Sequence, residues 1–139
     1  MPVLTADRAT PNRVARELSL PVAASARIFA GAMVAVIASG GGAGNATRAT
    51  TGTTQRGVGV AIEEADNSGG AAGAIRVKVR RGCWQFANSA AADLVTTADI
   101  GTDCFIVDDS QVARTNGTGT RSVAGRVVDV DAAGVWVDF

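Results

Sequence analysis

The stretch Ala74-Ile-Arg-Val-Lys-Val-Arg80 decides the fold class. Ile75, Val77 and Val79 alternate with Arg76, Lys78 and Arg80, the period-two pattern of a strand with one buried face and one wet face. Downstream, Cys83 to Ala87 continues the sheet after Gly82, and upstream Met33 to Ala38 and Val58 to Glu63 are expected strands. Cys104 to Val107, Ser122 to Val130 and Val135 to Phe139 complete the set. Asp131-Ala-Ala-Gly134 reads as the hairpin loop between the last two, and Asn116-Gly117 as a loop tip. Ser89 to Leu94 is the one stretch with a passable helical period. The reading is a mainly β fold, a small β-barrel or β-sandwich-like domain over residues 28–139, because closure manages many short strand edges.

The run Ile28 to Ala38 is far shorter than the roughly 20 apolar residues a membrane helix needs. It begins too late, after Asp7 and Glu17, for a signal peptide, and so reads as a buried strand or pair of strands. Residues 1–27 contain all three prolines, Pro2, Pro11 and Pro21. Proline fixes φ and removes a backbone donor, so this leader is expected to be an extended N-terminal arm outside the sheet, the plainer alternative being a disordered tail. If the arm adds as a strand to a neighbouring molecule, Leu18, Leu20 and Val22 are the candidates to fill pockets. Arg8, Arg13 and Arg16 are the candidates for polar contacts to that partner.

Composition narrows the chemistry. The chain has 139 residues, a length that fits one domain, with 13 basic and 13 acidic side chains and no His. Zero net charge argues against a general nucleic-acid coat, which needs surplus Lys and Arg to release counterions. Lacking His, the chain has neither the commonest general base nor the commonest metal ligand. Cys83 and Cys104 allow one disulfide or none, and without a CxxC pair they make no zinc pattern. Ser39-Gly-Gly-Gly-Ala-Gly-Asn45 is rich in glycine but matches neither the dinucleotide fingerprint nor a P-loop. Asp108-Asp109 and the Asp129/Asp131 pair lack EF-hand spacing and read as turn residues. Trp84 and Trp136 are core or interface anchors. No constellation supports catalysis, a cofactor or a metal.

Charge is segregated along the chain. Residues 28–92 carry six basic and three acidic groups, net +3, and residues 93–139 carry three basic and eight acidic groups, net −5. A basic arm and an acidic end favour head-to-tail attraction between copies.

Several landmarks together resemble the small capsid decoration, or cement, proteins of tailed bacteriophages. They are Arg56-Gly-Val-Gly-Val60, Ile75-Arg-Val-Lys-Val79 leading into Arg81-Gly-Cys-Trp84, Asp99-Ile-Gly101, and Cys104-Phe-Ile-Val-Asp-Asp109. Ala124-Gly-Arg-Val-Val-Asp-Val130 and Gly134-Val-Trp-Val137 close the series. The resemblance covers roughly the last 80 residues. It implies a structural virion protein, not an enzyme, that binds the outer surface of the expanded head and bridges major capsid protein subunits. It also implies a homotrimer, a dimer being the alternative, with no nucleic-acid or membrane partner. The competing expectation is a surface β module that binds a receptor or carbohydrate, against which stands the poverty in aromatics, 4% of the chain.

Overall fold

The computed structural model describes residue 3 and residues 5–139; positions 1, 2 and 4 of the leader lie outside the described residues. Among the described residues, twelve short strands run β1 (Glu17–Pro21), β2 (Arg27–Ile28), β3 (Met33–Ile37), β4 (Ala46–Arg48), β5 (Gln55–Ala61), β6 (Ala65–Asp66), β7 (Arg76–Arg80), β8 (Cys83–Phe86), β9 (Asp103–Ile106), β10 (Val112–Ala113), β11 (Val123–Asp131) and β12 (Gly134–Asp138). They form two five-stranded antiparallel sheets, ordered β1-β7-β5-β3-β4 and β10-β9-β11-β12-β8, and a small β2-β6 pair. The fold is mainly β, as the alternation in β7 indicated. Ile28 to Ala38 is indeed a pair of strands, and the Ser89 to Leu94 stretch contributes only a single 3-10 turn at Ala91–Asp93.

The leader requires a correction. Residues 17–21 are not outside the sheet: β1 pairs along its full length with β7, from Glu17↔Arg80 to Pro21↔Arg76. Pro21 is tolerated because β1 is an edge strand, where a missing donor breaks no inter-strand ladder on its free side. Among the described leader residues, 5–16 lie in no strand and are all exposed, and 23–26 link β1 to β2.

The two sheets repeat one design. Taken in chain order within each half, the strands follow the same spatial order, with β1, β3, β4, β5 and β7 corresponding to β8, β9, β10, β11 and β12. Register repeats as well. Met33↔Val60, Val34↔Gly59 and Ala35↔Gly57 in the first module match Asp103↔Arg126, Cys104↔Gly125 and Phe105↔Val123 in the second, with a bulge at the same step. A trio of backbone bonds recurs at the strand entry: Gly31 N–H to Ala61 O, Ala61 N–H to Ala32 O and Ala32 N–H to Phe29 O correspond to Gly101 to Val127, Val127 to Thr102 and Thr102 to Asp99. In each module the two outermost strands curl toward one another and meet at a single parallel bridge, Val22↔Ala46 and Ala87↔Gln111. Closure therefore stops at one bridge per module, short of a continuous barrel.

Glycine at the bulge explains how the sheets curl so tightly. A Cβ on Gly59 would lie 2.5 Å from the Arg80 carbonyl oxygen and 2.9 Å from Val79 Cγ1. Its counterpart Gly125 meets the corresponding groups, with Asp138 O at 2.6 Å and Val137 Cγ1 at 2.8 Å. Backbone approaches that close exclude every side chain, which is a recurring reason for glycine at bulges.

Each module has its own aliphatic interior. Val22, Ile28, Val34, Ala46, Ala61, Val77 and Val79 fill the first, and Phe86, Cys104, Ile106, Val112, Val127, Val135 and Val137 fill the second. The opposite face of β3 and β5, carrying Met33, Ala35 and Val60, is buried against the second interior. Positions equivalent to Met33 and Val60 in the second module are Asp103 and Arg126, both exposed. A terminal repeat faces water where an inner one is covered, so its outer face is polar.

Candidate partner interface

The six residues singled out in the leader divide into two groups. Leu18 and Leu20 are half-buried and pack on the first module's interior, and Val22 has no exposed surface at all. They fill this chain's own core, because β1 presents them on the same face as Val79 and Val77, their register partners. Val22 is wholly taken up by that core, while Leu18 and Leu20 keep part of their surface exposed. Arg8 and Arg13 lie on the exposed 5–16 segment and are in no ion pair among the described residues. Arg16 sits at the root of that segment, where its carbonyl accepts a hydrogen bond from the Arg81 N–H at 2.8 Å.

From that root a trough runs along the seam between the modules. Its first part is an open cavity of about 630 Å³ lined by Ala15, Arg16, Glu17, Arg80, Arg81, Gly82 and Phe139. Leu18, Gly57 and Val58 floor the middle. A second cavity of about 630 Å³ continues past Arg56 to Arg121, Ser122 and Val123. The seam is narrow where β5 passes β11, since a Cβ at Gly57 would run into the Ala124 carbonyl. Gln55 N–H donates to Ser122 Oγ at 3.1 Å across the same gap, and Ser122 Oγ donates to Gly52 O at 2.6 Å.

Five arginines, Arg16, Arg56, Arg80, Arg81 and Arg121, line the trough against two acidic side chains, Glu17 and Asp138. Arg80 is held by Glu17 at 2.7 Å and Arg121 by Asp93 at 3.1 Å, but Arg16, Arg56 and Arg81 are in no ion pair among the described residues. Free guanidinium forks beside Leu18, Val58, Val123 and the Phe139 ring suit an extended segment that alternates carboxylate and aliphatic side chains. Arg56, Arg81 and Phe139 were missed by reading the sequence. Arg56 and Arg81 stand next to Gly57 and Gly82, a hint of a special backbone position, but nothing local says that the two positions meet across a seam.

Other groups with potential chemistry are committed to structure. Asp108 Oδ1 accepts from the Ser110 N–H at 2.8 Å, and Asp131 accepts from the Ala133 and Gly134 N–H groups and from Trp136 Nε1. These are the turn roles expected of them, whereas Asp129, read as a turn residue too, lies within β11 opposite Trp136. The hydrogen bond from Trp136, followed by those from Ala133 and Gly134, holds the Asp131 carboxyl below the ordinary range. Cys83 and Cys104 are unbonded thiols. Burial pushes the Cys104 thiol up to about 11, and burial with Asp138 and Asp129 also raises Cys83. Both are thus protonated and poorly nucleophilic near neutral pH. Among the described residues, no group of three or more Cys, Asp or Glu is placed to hold a metal ion, and no helix is long and apolar enough to cross a membrane.

No protein-family model, curated protein or solved structure matches the chain.

Proposed function

We propose that this chain is a structural virion protein that decorates the outer surface of an expanded tailed-phage head and stabilises it by bridging major capsid protein subunits. Its copies act as a homotrimer, with no catalytic step. The observation that carries the reading is the exposed basic segment 5–16 rooted beside an arginine-lined trough on a double β module. That combination offers two separate attachment points, and a molecule that grips two neighbours gains avidity over a lattice even when each contact is weak. Residues 5–16 fully extended reach about 40 Å at roughly 3.3–3.6 Å per residue, enough to pass onto an adjoining subunit.

Co-sedimentation of the protein with expanded capsids lacking decoration tests this. Saturable binding at a fixed ratio to the major capsid protein is expected. Removal of residues 1–15 is expected to leave the fold intact and abolish head stabilisation. A folded chain that ignores heads overturns the proposal, and full stabilisation by the shortened chain removes the arm from it.

A further inference from the structure

The two modules share strand order and register but differ in the charge of their outer faces. In the first, Arg76, Lys78 and Arg80 project outward from β7, opposite Ser19 and Glu17 of β1. In the second, the position corresponding to Arg80 is Asp138, which lies opposite the exposed Arg126, and Asp129 faces Trp136 across the β11–β12 ladder. Over residues 17–81 seven basic groups outnumber four acidic ones, and over residues 83–139 eight acidic groups outnumber three basic ones. Neither face is covered. Lys78 is exposed and in no ion pair, and Asp129 and Asp138 are exposed and in none either, among the described residues.

We infer that the basic outer face of β1–β7 docks onto the acidic outer face of β8–β12–β11 in a second copy of this chain, Arg76 and Lys78 of one copy meeting Asp129 and Asp138 of the other. Two observations point to a second copy as the occupant. Each chain carries both complementary surfaces, so one contact leaves a free face of each sign and the association runs head to tail. The net charge is zero, so no long-range repulsion between copies opposes approach. A heterologous contact of this kind closes into a ring or continues as a filament according to its rotation. Trp136, its indole N–H held by Asp131 Oδ2 at 2.9 Å, stands on the acidic face where an incoming Lys or Arg is attracted to the ring. The inference is independent of capsid binding, and its test contains no capsid.

The experiment is sedimentation velocity on the full chain at low and high salt over a range of concentrations. Concentration-dependent association at low salt that weakens as salt rises is expected. Arg76→Glu with Lys78→Glu, and separately Asp129→Lys with Asp138→Lys, should each weaken self-association on the order of tenfold or more, since like charges then face one another. Mixing the two variants is decisive. The intact acidic face of the first fits the intact basic face of the second, so the two variants associate with each other where neither associates with itself. Arg76 also donates to Ser19, so Lys78→Glu alone, with circular dichroism of every variant, separates lost docking from lost folding. Labelling of the Cys83 thiol, which lies on the acidic face, should slow on association. A monomeric wild type at low salt, association that survives both charge reversals, or a mixture in which the two variants do not associate would each overturn the inference.

Discussion

Replacing Gly59 or Gly125 with Ala probes the repeated bulge directly. At Gly59 the backbone has φ +148°, and an added Cβ would lie 2.5 Å from Arg80 O, a backbone atom that cannot swing aside. Forcing an L-residue into such a conformation costs about 1–3 kcal/mol, and overpacking adds about 1–3 kcal/mol. The lower entropy of the unfolded alanine chain offsets roughly 0.4–1 kcal/mol. Gly59→Ala is therefore expected to destabilise by about 3 kcal/mol. Gly125→Ala meets the same clash, with Asp138 O at 2.6 Å, but no positive φ, and should lose about 1–2 kcal/mol. Gly52 is the control, having no positive φ and no atom within 4 Å of an added Cβ, so Gly52→Ala should be neutral or slightly stabilising. Urea unfolding, with midpoints compared at constant slope, reads all three. If Gly59→Ala and Gly125→Ala unfold at the same midpoint as Gly52→Ala, the strands do not approach as described and the matching of the two bulges loses its physical basis.

Other outcomes follow from burial and charge. Val22→Ala should destabilise the fold by about 1–3 kcal/mol by thermal or urea melting, whereas Val14→Ala on the exposed segment should leave stability unchanged. Asp93 has its carboxyl lowered by hydrogen bonds from Thr115 and then Arg121. A depressed folded pKa gives stability that is complete above the unfolded value, about 3.8, and lost as pH falls through the lower folded one. Asp93→Asn should thus be less stable than wild type at neutral pH, with the gap closing in acid; a constant gap at all pH would contradict the ion pair. A thiol reagent should modify the exposed Cys83 in the native protein at alkaline pH and reach Cys104 only after denaturant is added.

The leader shows where local reading misleads. Three prolines and several arginines are an argument for an arm as far as residue 27, and residues 5–16 are exposed and lie in no strand. That reading fails at Glu17–Pro21, where one exposed edge tolerates Pro21 and the partner strand β7 lies more than fifty residues away. Leu18, Leu20 and Val22 look alike whether they fill a neighbour's pocket or their own core, because hydrophobicity carries no address. Cys83 and Cys104 both lie on strands, yet one faces solvent and the other is buried, a difference that strand membership does not set. Thr-Gly-Thr occurs at 51–53 and again at 118–120, with Arg48 and Arg114 before them, a likeness too short to reveal the shared register.

Residue order alone determines that this chain is built of strands. Alternation in Ile75 to Arg80, turn residues between short aliphatic runs and the Asp131–Gly134 hairpin are consequences of period-two geometry and of local backbone preference. It also determines which chemistry is missing from the side-chain inventory, since a chain without His carries no imidazole in any fold. Only the tertiary structure decides that ten of those strands make the same sheet twice, that Met33 is covered while Asp103 is wet, and that Arg16, Arg56 and Arg81 border one trough. Those facts depend on pairings between residues distant in the chain, which arise from the summed burial of both modules and leave no mark on the local pattern of any one strand.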